Sequence, residues 1–399
     1  MTVSATAPVS TITVLSTGGR RRAMLALALG GFGIGTTEFV AMGLLPQIAG
    51  GLGISEPTAG HVITAYALGV VVGAPVIAAL TARMPRKTLL VALMVAFTVG
   101  NAAAIVAPNY GGLIVARFVA GLPHGAYFGV ASLVAAYLAG PGHRAKAVAM
   151  VIGGLAVANV VGVPAATWIG QGLGWRSAFA IVALIGALTV AAIWAWVPPL
   201  QAVRTTDPRT ELAALRRGQV WLTLVVATVG FGGMFAVYTY VGWTMTDVAG
   251  LPLGLVPVAL MVYGLGMVAG NMFGGRLADR ALTAGLFAML GALVVLLALF
   301  AVAAHNPYTA MIVLFLVAAA GSALVPGLQT RLMDVAADAQ TLAAALNHSA
   351  LNIANAFGAW IGGVVIAAGF GYAAPALVGA GMAAAGLVVL AVAVVTARH

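Results

Sequence analysis

From Met24 to Thr396 the chain is a series of apolar runs, each about as long as a bilayer is thick, broken only by short polar or Gly/Pro-containing stretches. A helix needs about 20 mostly apolar residues to cross a membrane. Twelve such runs can be read, at 24–48, 59–80, 88–107, 111–137, 145–169, 176–197, 219–243, 253–275, 283–304, 308–331, 341–367 and 373–396. The expected fold is therefore an all-α integral membrane protein with twelve transmembrane helices. The only long polar connection, 198–218, divides them six and six. The expected organisation is a tail over 1–23, a six-helix bundle over 24–197, a cytoplasmic linker over 198–218 and a second bundle over 219–399.

Composition excludes the soluble alternatives. With 62% hydrophobic and only 7% charged residues, the chain lacks the polar groups to cover a water-facing surface. A net charge of +10 could point to nucleic acid, but 16 of the 18 Lys and Arg residues fall on segments that share a side with the N-terminus. Only Arg176 falls on the other side and only Arg117 within a span. That asymmetry places both termini in the cytoplasm and makes a lipid bilayer, not nucleic acid, the expected partner. Residues 1–19 show no period and lead into Arg20-Arg21-Arg22, which reads as a disordered cytoplasmic tail. The apolar run that follows continues for about 25 residues, beyond the roughly 7–15 of a cleavable signal. There is no cysteine, hence no disulfide and no thiolate metal site.

The two halves repeat. A shift of 197 residues superposes Tyr66, Leu68, Gly69 and Gly73 on Tyr263, Leu265, Gly266 and Gly270. A shift of 199 brings Gly31-Phe32-Gly33 onto Gly230-Phe231-Gly232 and sets Glu38 opposite Val237. Both copies start on the same side, so the repeat is parallel, two bundles related by an axis along the membrane normal.

Ionisable groups within spans are few, and each costs several kcal/mol if it faces lipid, so each is a functional candidate. Glu38, in the middle of the first run, is the only carboxylate within any of the twelve. A buried carboxyl is poised to take up and release a proton; the competing reading is a neutral acid that holds its helix in the bundle. Arg117 keeps its charge and must find a carboxylate, carbonyls or water. Glu38 is its candidate partner, with outward snorkelling as the alternative. His124 lies seven residues on, two turns along the same face, where it could relay a proton. Asn159 reaches similar depth. His348, Asn352 and Asn355 recur at i, i+4 and i+7 on one helix face. These four, with the repeat-matched Tyr66 and Tyr263, are the expected substrate-contacting residues; helix-to-helix packing is the alternative for each.

Several motifs resemble the major facilitator superfamily, in its twelve-helix drug:proton antiporter branch. The family's loop signature, Gly-x-Leu-Ala-Asp-Arg-x-Gly-Arg-Lys, is shared out here between two copies. Gly275-Arg276-Leu277-Ala278-Asp279-Arg280 keeps its first part and Arg83-Met84-Pro85-Arg86-Lys87 its last. Ala82 and Ala78 stand where the usual Asp and Gly would be. Arg117 to Gly121 is similar to the family's Arg-x-x-x-Gly motif, and Gly162-Val163-Pro164 is similar to its antiporter motif. Thr36-Thr37-Glu38-Phe39 and Gly174-Trp175-Arg176 resemble most the bacterial sugar-efflux and chloramphenicol-efflux transporters. The resemblance implies a conformational gate formed by Arg83, Arg86, Lys87, Asp279 and Arg280, with Asp279 accepting from the start of the fifth span near Ala145 when the inner side is closed.

The expected function is proton-coupled efflux by alternating access. A small neutral or weakly polar compound, amphenicol-like or sugar-like, leaves in exchange for protons entering through a site that includes Glu38. No Gly-x-x-x-x-Gly-Lys loop is present, so the proton gradient rather than ATP is the expected drive, with no cofactor or metal. A facilitator, a symporter or a non-transporting receptor on the same fold are the alternatives. A membrane enzyme is disfavoured, since no His-Glu-x-x-His or Gly-x-Ser-x-Gly occurs. A monomer in a bacterial cytoplasmic membrane is expected.

Overall fold

The computed structural model describes residues 16–81, 84–140, 144–200, 214–336 and 340–397, and among these every regular element is helical. Eleven helices are long and apolar enough to cross a membrane: α1 Thr17–Gly43, α2 Glu56–Thr81, α3 Arg86–Val106, α4 Tyr110–Ala139, α5 Ala147–Leu173, α6 Trp175–Trp196, α7 Gly218–Thr239, α8 Val256–Ala303, α9 Pro307–Ala336, α10 Leu346–Ala367 and α11 Ala374–Thr396. The difference from the expected twelve lies in α8, whose 48 residues would run about 70 Å if straight, twice what a bilayer needs. It is not straight. Ala281 has non-helical backbone angles, and the Leu277 side chain lies against Gly285, a contact only a reversal of direction allows. Each arm then matches one expected run. Arg83 and the linker residues 201–213 lie outside the described residues.

Several helices are interrupted where their sequence requires it. Pro123 follows Leu122 between the two parts of α4, Tyr110–Gly121 and His124–Ala139; it cannot donate the helical hydrogen bond, so His124 starts a fresh turn. A π-helical turn at Ala158–Gly162 lies within α5, immediately before Pro164, and another at Val226–Gly230 lies within α7. Such turns rotate the side chains that follow and often mark functional positions. One of those side chains is Asn159.

The internal repeat is reproduced in the packing. A β-carbon on Gly69 or Gly73 of α2 would overlap the carbonyl oxygens of Phe118 and Leu122 in α4. On Gly266 or Gly270 of α8 it would overlap those of Phe315 and Ala319 in α9. All four pairs obey the 197-residue shift. The 199 shift proposed for the first helix of each half does not survive. Gly31 packs on Val151 of α5, whereas Gly230 packs on Gly386 of α11, a different neighbour. The register that packing supports is 204. Gly154 lies on Ala28 and Phe32, and Gly358 lies on Gly232 and Ala236 in the same manner.

Contacts between the halves concentrate at the end where α2 begins, the end that the basic residues assign to the outside. Gly43 abuts Leu260, Gly242 abuts Pro46, and Thr64 Oγ1 donates to the Ala356 carbonyl at 3.4 Å. Asp279 and Arg280 are exposed, and no hydrogen bond among the described residues ties Asp279 to α5. Arg86 is buried, its backbone N–H donating to the Leu200 carbonyl at 2.9 Å, while Lys87 is half-buried. The contacts between the halves thus close the end where α2 begins.

Candidate functional site

The ionisable residues within the spans of the first half converge. Arg117, fully buried, does not snorkel and does not pair with Glu38. Its two terminal nitrogens donate to Thr37, one to Oγ1 and one to the carbonyl oxygen, each at 3.0 Å. Thr37 Oγ1 in turn donates to Asn101 Oδ1 at 2.5 Å, and Asn101 Nδ2 donates to the Phe97 carbonyl at 2.9 Å. The guanidinium also lies over two rings, 4.4 Å from the Tyr66 centroid and 5.4 Å from that of Phe179. A delocalised cation in a dry site is thus held by dipoles and π-faces, although its Nε has no partner.

Glu38 is one residue further along α1 and faces another way. It is 7% exposed and, among the described residues, makes no ion pair and no hydrogen bond. It lies close enough to Arg117, Tyr66 and the second-half Tyr238 for charge on it to act on each. Its neighbour Phe39 reaches across to the second half, 5.8 Å from the Tyr238 ring and 6.3 Å from Phe235, nearly parallel to the latter.

From Tyr66 the polar connections continue inward. Its hydroxyl shares a hydrogen bond of 3.0 Å with His124 Nδ1. The His124 ring is 5.4 Å from Phe128, and Phe128 stacks on His348 of the second half at 6.5 Å with 2° between planes. His124 is 4% exposed whereas His348 is exposed, so the chain Glu38, Tyr66, His124, His348 runs from a dry layer to an exposed position.

The expected substrate residues are all near this layer but are not equivalent. Tyr263 stacks on Tyr238 at 3.8 Å with its hydroxyl buried and unpartnered. Asn159 and Asn352 each spend Nδ2 on the carbonyl four residues before, leaving Oδ1 without a partner, and Asn355 is 1% exposed with neither side-chain atom bonded. A buried polar atom left unsatisfied costs about 1–3 kcal/mol. Each is therefore a candidate to take a water or a polar ligand group. Tyr66 departs from Tyr263 despite the repeat, since its hydroxyl is committed to His124. Sequence reasoning passed over Thr37, Asn101 and Tyr238. Asn101 was visible as an amide in an apolar run; nothing in the sequence singles out Tyr238.

Helices long and apolar enough to cross a membrane, packed in two repeated halves around buried polar groups, have the form of a multi-pass membrane transporter. The Major Facilitator Superfamily model matches residues 27–304 and 244–399, and the chain belongs to that family. It is 42% identical over 90% of its length, and 92% of the relative's, to the Escherichia coli (strain K12) inner membrane transport protein YdhP. It is 34% identical to a chloramphenicol resistance protein of Streptomyces lividans, over 83% of this chain and 86% of that one. Among solved structures it resembles a bacterial homologue of the human lysosomal transporter Spinster, in an inward-facing, occupied conformation. The TM-score is 0.71 at 18% identity, covering 95% of this chain and 96% of that one.

Proposed function

We propose that this transporter is a proton-coupled antiporter of the bacterial inner membrane, crossing it twelve times with both termini in the cytoplasm. It exports a small neutral organic compound and needs no cofactor besides the proton gradient. The observation that carries this reading is Glu38, a carboxyl in the middle of a span, buried at the boundary of the halves and committed to no cation or donor. Such a group is free to exchange a proton, and its charge is felt on both sides of the boundary. Arg117, Tyr66 and His124 are the groups through which a proton on Glu38 changes the packing of the first half. Tyr263, Asn159, His348, Asn352 and Asn355 are the groups offered to the substrate. The aromatic faces of Phe39, Phe235, Tyr238 and Tyr263 beside them favour a compound with an aromatic ring, amphenicol-like, over a sugar-like one. The chloramphenicol resistance relative agrees with that choice. Asp279, Arg280, Arg86, Lys87 and Arg83 form the inner gate.

The test is transport in proteoliposomes with an imposed pH gradient, across a panel of aromatic and sugar-like compounds. Substrate movement opposite to the proton gradient is expected. Movement with the gradient identifies a symporter, and flux indifferent to it a facilitator; either overturns the antiport reading.

A further inference from the structure

The outer closure turns on one oxygen atom. Tyr240 follows the end of α7, where the helix breaks (φ −105°, ψ 16°), and its side chain is 1% exposed. Its hydroxyl donates to the Ala359 carbonyl of α10 at 3.0 Å. The same oxygen occupies the space that a β-carbon would take on Gly60 of α2, in the other half, and lies 2.5 Å from where one would sit on Gly363 of α10. A β-carbon on Gly363 would also lie 3.6 Å from the Pro57 carbonyl of α2. Two glycines from opposite halves thus form a slot one hydroxyl wide. Neither has a left-handed backbone, so conformation does not require glycine at either position. The close approach does.

We propose that Tyr240 is a positioning residue of the transport cycle: its hydroxyl, held by Ala359 and seated against Gly60, sets the stability of the outward-closed state. The two halves can meet at this end only because position 60 lacks a side chain. Opening to the outside withdraws the hydroxyl from Gly60. The hydrogen bond to Ala359 lies within the second half and keeps the ring aimed for the return. Trp243 and Tyr372, stacked on each other at 5.9 Å with Tyr240 6.3 Å from Trp243, form the wall behind it. This inference concerns the outer closure alone and stands whether or not protons drive transport.

The chain has no cysteine, so a single reporter can be introduced without background. Thr64→Cys places a thiol on α2 at the inter-half contact, shielded while the outer end is closed. In right-side-out vesicles its rate of labelling by a membrane-impermeant maleimide reads outer opening. Tyr240→Phe removes the oxygen that fills the slot against Gly60 without adding a clash, and labelling should rise at least about twofold. Gly60→Ala should raise it further and abolish transport. Gly60→Ala combined with Tyr240→Phe removes the overlapping atom, leaving the ring carbon at 3.1 Å, and should return labelling to the Tyr240→Phe level. Such rescue is not expected of a merely structural glycine. Unchanged labelling in Tyr240→Phe, or a double variant as open as Gly60→Ala alone, overturns the proposal. Should Gly60→Ala fail to reach the membrane, Tyr240→Phe and Gly363→Ala, both in the Thr64→Cys chain, decide it by the same labelling.

Discussion

Arg117 places both terminal nitrogens on Thr37, at 3.0 Å each, and so makes no direct ion pair with Glu38, the next residue. The two neighbours on α1 divide the work. Thr37 looks into the first half and anchors the permanent cation, while Glu38 looks to the boundary with the second half and stays free to titrate. An arginine paired directly with Glu38 would hold it charged and would oppose proton uptake. The separation is what makes a carboxyl in this layer useful for coupling.

Thr37→Val keeps the volume and removes the hydroxyl. Arg117 loses one acceptor and Asn101 one donor in a fully buried site, which should cost about 1–3 kcal/mol. A lower melting temperature of the detergent-solubilised protein checks this. The freed guanidinium should turn toward Glu38, so residual transport should show weakened dependence on the pH gradient.

Glu38→Gln preserves shape and removes the titratable group. Since Glu38 makes no hydrogen bond or ion pair, the variant should fold with unchanged melting temperature. Substrate should still bind and exchange across the membrane, but concentrative transport driven by a pH gradient should be lost. Counterflow in proteoliposomes, compared with gradient-driven transport in the same preparation, separates the two. Loss of both would make Glu38 a structural residue.

The membrane fold was legible in the sequence because lipid imposes lengths and a charge asymmetry that apolar runs and Arg/Lys positions report directly. The α2–α4 packing repeat was legible too, since glycines at close helix contacts leave a fixed spacing, as Gly69 and Gly266 do. The register of α1 against α7 was not. Gly-Phe-Gly in both helices suggested a match, yet Gly31 and Gly230 serve different neighbours, because small residues fit several contacts equally well. The members of the candidate site were mostly found by the cost of burying polarity, while their pairing was not. Whether Arg117 meets Glu38 or Thr37 depends on the rotation of α1 by a single residue, about 100°, and an apolar helix with glycine on several faces gives no periodic signal to fix it.

Arg176, the one basic residue assigned to the outer side, has a structural explanation. Its Nε donates to the Ile105 carbonyl at 3.0 Å and its terminal nitrogen to the Ala107 carbonyl at 2.8 Å, capping the end of α3. Its guanidinium lies 4.1 Å from the Trp175 ring centroid. Arg176→Ala should lower stability by about 1–3 kcal/mol, read as a reduced melting temperature. Arg176→Lys should recover only part of it, since an ammonium cannot reproduce the fork that reaches two carbonyls. Orientation in the membrane should be unchanged in both.

The packing repeat makes a symmetric prediction. A methyl on Gly69 overlaps the Phe118 carbonyl oxygen and one on Gly266 overlaps that of Phe315. Backbone oxygens, unlike side-chain ends, cannot swing aside, so α2 and α8 must each move off their partner helices. Gly69→Ala and Gly266→Ala should each destabilise by about 1–3 kcal/mol, as overpacking does. The sites lie in different halves and share no neighbour, so the double variant should show the sum of the two losses. Thermal unfolding of the two single variants and the double variant tests this, and a double variant no worse than the poorer single one would show that the halves do not hold these contacts independently.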